Sequence, residues 1–206
     1  MNLSEAVSRL EEKYSSSILE KKEFRGEISL SLEQSRFYEI CQFSRDELGF
    51  NMLLDISSVD HFGSDPRFEV VYELYSLESK IQLRLKVKLS EDQSTIPTIT
   101  TLWATANWHE REVYDMMGIS FEGHPDLRRI LMWDGYPYYP LRKDFPLEGK
   151  PSEMPDVAFS EPAPLQGGPF VSAPSLGNTQ VREPRHRSAE SFSEENVPKK
   201  TFIAEP

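Results

Sequence analysis

The chain has 206 residues, with 34 Asp and Glu against 23 Lys and Arg, and a formal net charge of −11 at pH 7. This acidic balance, without a long basic run, excludes nucleic acid as a partner because the average surface repels phosphate. No apolar stretch approaches the roughly 20 residues that span a bilayer, so any membrane association is expected to come through other proteins. The acidic segment 1–14 is unlike a signal or transit peptide, and we expect the chain to remain in a cytoplasm-like compartment.

A single cysteine, Cys41, limits the redox chemistry available to the chain. One thiolate can neither form an internal disulfide nor supply the ligand set of an iron–sulfur cluster. Cys41 lies at helical spacing with Phe37, Ile40 and Leu48, which predicts a buried small apolar side chain rather than a reactive thiol. We therefore expect no electron carrier in this chain.

The first predicted elements are a helix and a hairpin. Apolar residues recur at helical spacing at Leu3, Val7 and Leu10, which predicts a short amphipathic helix. Strands are predicted over 17–24 and 27–32. The second strand alternates apolar and polar residues, which is the period of a sheet with one solvated face.

A second helix and three strands follow. Helical spacing returns over 33–48, and Gly49 stands where a left-handed cap would end the helix. Strands are predicted over 50–59, 67–77 and 80–89. In the last of these, Ile, Leu and Val alternate strictly with Gln, Arg and Lys, which is the clearest strand signal in the sequence and predicts one face in the core.

The last predicted element of the domain is a helix over 98–117, closed by Gly118, in which Asn107 is a candidate for a break and a new N-cap. The order of helix, two strands, helix, three strands and helix predicts an α+β fold. We expect a mainly antiparallel sheet with helices on one face, compatible with a ferredoxin-like arrangement. Because 11 of the 15 prolines fall at or after Pro140, residues 1–135 are assigned to this globular domain and 136–206 to an extended, proline-rich C-terminal arm.

Chemically active residue types concentrate between residues 110 and 131, and we weighed three enzymatic interpretations there. His109 and the residue after it begin the zinc-protease motif His-Glu-x-x-His, but the second histidine is missing, so no metal site is expected. No glycine-rich loop joins a strand to a helix to cradle a phosphate. Glu112 and Asp115 could act as acid and base, yet the neighbouring Arg111 would hold them ionised.

The same region favours a protein interface. Apolar positions of the predicted helix form a stripe into which His109 and Glu110 intrude, and Trp108 and Tyr114 add amphipathic bulk. Planar Arg and carboxylate groups beside aromatic rings are typical of partner surfaces, where bidentate pairs fix the register.

Two segments after this helix are predicted to display side chains. A proline-fixed turn precedes Asp126, which is expected to cap a short helix over 127–131 with Arg128 and Arg129 in its first turn. Segment 140–147 carries prolines near both ends that stiffen it and bar it from a central strand. Extended, displayed segments of this kind are binding elements.

Three blocks of sequence resemble the signature of one family, the 30-kDa-type (also called C-type) subunit of respiratory complex I. They are EREVYDMMGISF at 110–121, GHPDLRRIL at 123–131 and PLRKDFPL at 140–147. FEVVY at 68–72 and ANW at 106–108 are also similar to that family, and the resemblance covers roughly residues 50–147. Three long blocks in order are far more specific than any short motif.

The resemblance implies an accessory subunit without an active site or a cofactor of its own, in the peripheral arm of a proton-translocating NADH:quinone oxidoreductase. The complex as a whole uses FMN, iron–sulfur clusters, quinone and NADH. The implied partners are the quinone-site (D-type) subunit, across which the C-terminal arm runs, and neighbouring peripheral-arm subunits. The implied location is peripheral, on the cytoplasmic side of the inner membrane.

We expect the end of the helix, the loop after it and the arm to form the partner interface. The expected contact residues are Glu110, Arg111, Glu112, Tyr114, Asp115, Gly118, His124, Pro125, Asp126, Leu127, Arg128, Arg129, Arg142, Lys143, Asp144, Phe145 and Pro146. The four arginines among them are expected to pair with acids of this chain or of the partner.

Two alternative functions stay open. The first is an equivalent scaffold subunit of a related membrane-bound hydrogenase or dehydrogenase. The second, more remote, is a stand-alone hydrolase using Glu112, Asp115 and His124. For residues 151–206, the composition predicts a segment that is disordered alone and folds only when it binds. For the last twenty or so residues, a dispensable solvated tail is an equal alternative.

Overall fold

A computed structural model describes residues 1–146 of the chain. The helices are α1 (Leu3–Tyr14), α2 (Phe37–Asp46) and α3 (Ala106–Met117), with a 3-10 turn at Gln34–Arg36 before α2. The strands are β1 (Ile18–Phe24), β2 (Glu27–Leu32), β3 (Met52–Asp60), β4 (Phe68–Ser76), β5 (Ile81–Leu89), β6 (Thr95–Pro97) and β7 (Ser120–Glu122). Most of the predicted arm, including Leu147 of the predicted binding segment, lies outside the described residues.

Five strands form one mixed sheet in the order β1-β2-β5-β4-β3. Its neighbouring strands are antiparallel except β2 and β5, which run parallel. β6 and β7 pair in a separate, two-stranded parallel sheet. The predicted α+β class with a mainly antiparallel sheet is confirmed. Within residues 1–146, every helix is too short or too polar to span a bilayer.

One face of the sheet carries the core. The buried residues of β5 are Leu83, Leu85, Val87 and Leu89, as the strict alternation predicts. The apolar residues of α1 and α2 belong to the same core, and Cys41 of α2 is fully buried in it, as predicted. Removing these side chains from water is the main favourable contribution to the stability of the domain.

The opposite face of the sheet is polar. Arg84 of β5 forms an ion pair with Glu73 of β4, and Lys86 Nζ lies 3.1 Å from Glu69 Oε2. Such cross-strand pairs each contribute roughly 0.2–1 kcal/mol. This face therefore fixes the strand register more than it stabilises the core.

The predicted helix over 98–117 is broken before its middle. Only Ala106–Met117 is helical, and the residues from Thr98 to Thr105 form turns and irregular backbone. In these turns, the Trp103 indole nitrogen donates to the Phe50 carbonyl oxygen at 3.2 Å. This contact with the segment before β3 fixes the turns against the sheet, and no local pattern announces it.

Two further local expectations need correction. The predicted short helix over 127–131 is wrong, because the amides of residues 130–132 donate to the Asp115 carboxylate instead of forming a helix. Strands β6 and β7 were not predicted. Each has only three residues, which is too short for a period of two to be recognised.

Replacing Leu85 by alanine tests the position of the core. Leu85 is fully buried in the middle of β5, so the substitution should lower the free energy of unfolding by about 2–5 kcal/mol. Urea denaturation measures this change. The control is Lys88→Ala on the same strand, whose side chain is exposed and whose loss should change the stability by less than about 0.5 kcal/mol. Equal effects of the two variants would contradict this assignment of the core.

Candidate functional site

The loop after β7 is fastened to α3 by one buried carboxylate. Asp115 has no exposed surface, and its Oδ2 accepts the amides of Ile130, Leu131 and Met132 at 3.0, 2.7 and 2.8 Å. Its Oδ1 lies 2.6 Å from Arg129 Nη1. Burial raises the pKa of Asp115, but the three amides and Arg129 more than offset this effect and hold it below its usual value. Asp115 is therefore an ionised, buried residue that holds the loop from inside the chain, and its side chain is not accessible to a partner.

Two arginines complete the attachment of this loop. Arg111 Nε and Nη2 donate to the carbonyl oxygens of Arg128 and Arg129, each at 3.0 Å. The guanidinium of Arg129 lies over the rings of Tyr136 and Tyr139, at 5.6 and 5.2 Å from their centroids. Both arginines therefore make their contacts within their own chain. The acid with which Arg129 pairs is Asp115.

Gly118 is the place where the start of the predicted arm meets the end of α3. It adopts a left-handed backbone, φ 75°, as the cap of the helix. A Cβ at this position would lie 2.6 Å from Arg142 Nη2 and 2.6 Å from Tyr139 Cε2. Arg142 also donates through Nε to the Met117 carbonyl oxygen at 2.6 Å and lies 4.5 Å from the Tyr139 ring centroid. Glycine is needed here both for its backbone angle and for the space.

A second buried carboxylate holds the next residues of this segment. Asp60, at the end of β3, forms a bidentate pair with Arg67 at 2.9 Å on each side and accepts the Lys143 amide at 2.8 Å. Arg67 also reaches Asp144 Oδ1 at 2.7 Å and Glu91 Oε1 at 2.6 Å. Arg67 holds the pKa of Asp60 below its usual value. For Asp144, burial raises the pKa, and Arg67 more than offsets that rise.

The third buried carboxylate, Glu110, has a different environment. Its Oε1 accepts the Ile99 amide at 2.8 Å, and its Oε2 accepts from the Thr98 hydroxyl. Burial raises the pKa of Glu110 to about 7, a rise that these two hydrogen bonds reduce. Because the folded pKa exceeds the ordinary 4.5, protonation of Glu110 stabilises the fold fully below pH 4.5, and this contribution is lost as the pH rises to about 7. Glu110 is thus an internal group, like Asp115.

His124 lies beside Glu110, and its side chain has no exposed surface. Its Nε2 is 3.1 Å from the Asn107 carbonyl oxygen, and its Nδ1 accepts the Asp126 amide at 3.0 Å. Both ring nitrogens are therefore occupied. Asp126 does not cap a helix, since its own amide is used to close this turn.

The remaining expected interface residues differ in how far they reach the surface. The exposed ones are Glu112, Pro125, Asp126, Arg128, Lys143 and Asp144. The half-buried ones, apart from the residues already placed, are Tyr114, Leu127, Phe145 and Pro146. Arg128 pairs with Asp126 at 2.9 Å, and both side chains remain more than half exposed. The structure therefore divides the predicted set into internal fasteners and displayed side chains.

Sequence reasoning missed Asp60, Arg67 and Tyr139. The first two flank a short link between strands, and that hairpin spacing is a signal from which their pairing could have been inferred. Their contacts with Lys143 and Asp144 span 83 and 77 residues. Such separations leave no local pattern, so the role of this pair as an anchor required the tertiary structure.

The chemistry of the site does not favour hydrolysis. The carboxylate of Asp115 and both nitrogens of His124 are engaged within the chain, while Glu112 stands exposed on the outer side of α3. Over the part of the chain that the structure describes, no group of three or more His, Cys, Asp or Glu residues is placed to hold a metal ion. The engaged side chains hold the loops around α3 in position.

Comparison with known protein families gives a match over residues 30–151 to the family described as respiratory-chain NADH dehydrogenase, 30 kDa subunit. The C-type subunit of NADH-quinone oxidoreductase from Geotalea uraniireducens is 51% identical over 148 residues, which are 72% of this chain and 90% of that protein. A C-type subunit of the same enzyme from Rhizobium meliloti is 47% identical over 143 residues, or 68% of this chain and 78% of that protein.

Two solved structures are also similar. One is a trypsin-resistant fragment (1-134) of Nqo5, with a TM-score of 0.54 and 35% identity, covering 59% of this chain and 99% of that chain. The other comes from the membrane-bound sulfane sulfur reductase, an archaeal respiratory membrane complex, with a TM-score of 0.61 and 25% identity, covering 70% of this chain and 85% of that chain.

Asp115→Ala should detach the loop after β7. The substitution leaves three amides without their acceptor and Arg129 without its carboxylate partner, although Arg129 still donates to the backbone carbonyl oxygen of residue 115. The loss of one partner of a buried ion pair typically costs about 3–5 kcal/mol. Amide hydrogen exchange at Ile130, Leu131 and Met132 should accelerate strongly. Asp126→Ala, which removes an exposed carboxylate, should leave these amides protected. Because the folded pKa of Asp115 is lowered, the wild-type contribution should be present above its ordinary pKa of 3.8 and lost as the pH falls toward the folded value.

Gly118→Ala tests the contact between α3 and the segment around Arg142. The added methyl group should displace Arg142 and Tyr139, in addition to the strain of a left-handed backbone. The matched control is Gly63→Ala, which has a similar angle, φ 84°, but meets nothing within 4 Å. Thermal unfolding should show Gly118→Ala as the less stable of the two by about 1–3 kcal/mol. Equal losses would mean that only the backbone angle matters at Gly118.

Proposed function

The chain belongs to the family of the 30-kDa subunit of respiratory-chain NADH dehydrogenase, the C-type subunit of NADH-quinone oxidoreductase, and from this membership we propose that it is a cofactor-free accessory subunit that binds and stabilises the quinone-site (D-type) subunit. In this role it acts through contact in the peripheral arm of the complex. Neighbouring peripheral-arm subunits are its further partners.

One observation carries the proposal. The loop after β7 and the segment 140–146 are held from the inside by buried carboxylates, while charged side chains on the same segments face outward. Arg128 has 65% of its side chain exposed although the backbone around it is fastened at several points. A surface that is already ordered loses less conformational entropy on binding. The arrangement therefore suits a partner contact.

The division between internal and displayed residues sharpens the proposed interface. Arg111, Arg129 and Arg142 stabilise this chain, so their effect on a partner is indirect. The direct contacts of the proposed interface are the six exposed residues, Glu112, Pro125, Asp126, Arg128, Lys143 and Asp144. Mixed charge of this kind favours orientation and specificity over raw affinity.

The proposed location is peripheral, on the cytoplasmic side of the inner membrane, and it rests on the family. The flavin, iron–sulfur clusters, quinone and NADH of the complex are proposed to bind other subunits. Cys41 is the single cysteine of the chain and is fully buried. It cannot supply the several thiolates that an iron–sulfur cluster requires.

A second candidate is an equivalent scaffold subunit of a related membrane-bound complex. The likeness to a chain of the archaeal sulfane sulfur reductase favours it, since that chain is covered to 85%. Mass spectrometry of the proteins that co-purify with this chain separates the two candidates. A quinone-site subunit among them supports the first, and a large subunit of another class supports the second.

The interface is tested by the double variant Arg128→Ala, Lys143→Ala. Truncating one partner of a desolvated charge pair typically costs about 2–5 kcal/mol of binding, so retention of the subunit in the purified complex should weaken at least about tenfold. The Lys143 amide still donates to Asp60 in this variant, because only the side chain is removed. Quantitative mass spectrometry after a salt wash measures the retention.

The control variant is Lys22→Ala, Lys88→Ala. It also removes two positive charges, but from exposed positions on β1 and β5 that are far along the sequence from the proposed interface. Both double variants should unfold at nearly the wild-type temperature. If both folded variants are retained alike, the proposed interface is wrong.

A further inference from the structure

A buried acid and a buried imidazole face each other inside the domain, and the proposed contact function uses neither. Glu110 comes from α3, and His124 comes from the loop after β7. Their side chains have no exposed surface, and Glu110 Oε2 lies 3.9 Å from His124 Nε2. This is too long for a hydrogen bond but short enough for a strong electrostatic interaction in a dry interior.

The hydrogen bonds of His124 select its protonation state. Asp126 N–H is a donor, so His124 Nδ1 must carry a lone pair. The Asn107 carbonyl oxygen is an acceptor, so Nε2 must carry the proton. An imidazolium would place a second N–H against the Asp126 amide and break this turn. The geometry therefore places the proton of the His124 ring on Nε2 and the lone pair on Nδ1.

Among residues 1–146, no Lys or Arg lies within ion-pair distance of Glu110 to stabilise its ionised form, and the basic side chain beside it is the His124 imidazole. Burial raises its pKa to about 7. The other titratable groups that interact with it are the Tyr72 hydroxyl of β4 and the Cys41 thiol of α2, and burial raises the pKa of each well above its ordinary value. Both stay neutral, so Glu110 is the group that changes charge.

The interior beside Glu110 also contains a polar atom without a hydrogen-bond partner among the described residues. The Tyr72 hydroxyl is fully buried and has no hydrogen-bond partner among the described residues. Buried polar atoms without partners are costly, and they allow a rearrangement that gains a hydrogen bond. The interior beside Glu110 is therefore less completely hydrogen-bonded than the surroundings of the Asp115 carboxylate.

We propose that Glu110 and His124 form a buried binding site for a single proton, and that release of this proton draws the His124 ring from the Asn107 carbonyl toward the Glu110 carboxylate. The proton resides on the Glu110 carboxyl group and leaves to bulk water. The His124 N–H then has a charged acceptor, and a hydrogen bond to a charged group is roughly twice as strong as one to a neutral carbonyl. The turn closed by His124 and Asp126 moves with the ring.

This movement reaches the displayed side chains of the loop. Asp126 and Arg128 lie two and four residues after His124, and both belong to the proposed partner face. Proton release would therefore alter that face near neutral pH. This last step rests on the proposed function, whereas the proton site itself is tested on the isolated full-length chain.

The test is a pH titration of the full chain by nuclear magnetic resonance with labelled histidine nitrogens. His124 should show a proton on Nε2 and a lone pair on Nδ1. Its Nε2 resonance and the Ile99 amide should follow one common titration with a midpoint near pH 7. Glu110→Gln, which cannot ionise, should abolish that titration. Glu112→Gln, an exposed neighbour on the same helix, should leave it unchanged.

A second variant keeps the proposal testable if Glu110→Gln does not fold. Thr98→Val removes a hydroxyl that stabilises the ionised carboxylate, so the common midpoint should move to higher pH. The proposal is overturned if the titration persists in Glu110→Gln, if Thr98→Val leaves the midpoint in place, or if His124 carries its proton on Nδ1. Each of these outcomes leaves the proposed partner contact untouched, so the two proposals can fail separately.

Discussion

Irregular backbone must find hydrogen-bond acceptors when it packs against a core, and within residues 1–146 three buried carboxylates supply such acceptors. Asp60, Glu110 and Asp115 each accept at least one backbone amide from a segment that is neither helix nor strand. An unsatisfied buried amide costs about 1–3 kcal/mol. These three side chains therefore hold the turns before α3, the loop after β7 and the residues around Lys143 against the rest of the domain.

The three carboxylates differ in how their charge is balanced. Asp60 and Asp115 each face an arginine, Arg67 and Arg129, and their pKa values lie below the ordinary range. Glu110 faces no arginine among residues 1–146, and burial raises its pKa to about 7. Two fasteners are thus permanently charged near neutral pH, while the third changes its charge there. A buried carboxylate that accepts backbone amides therefore stays charged near neutral pH when an arginine pairs with it, and titrates there when no cation does.

The family signature of this chain combines residues with two different tasks. In the blocks at 110–121 and 123–131, Glu110, Asp115 and Arg129 act inside the chain, while Arg128 reaches solvent. A charged residue in such a block is therefore not by itself an interface residue. Many of the charged side chains in the signature hold the backbone of their own chain, and the others are exposed to solvent.

The sequence by itself determined the elements whose signal is local. The alternation in β5 predicted its buried face, helical spacing predicted the burial of Cys41, and long motif blocks identified the family. The positions of Glu110, Asp115 and Asp60 were decided only by the tertiary structure. The apolar stripe of its helix already included Glu110, but the groups that satisfy these three carboxylates lie far along the chain. The amides that they accept lie 11 residues before Glu110, 15–17 after Asp115 and 83 after Asp60. Burial of a charge depends on partners that distant segments bring, and periodicity along the chain carries no record of them.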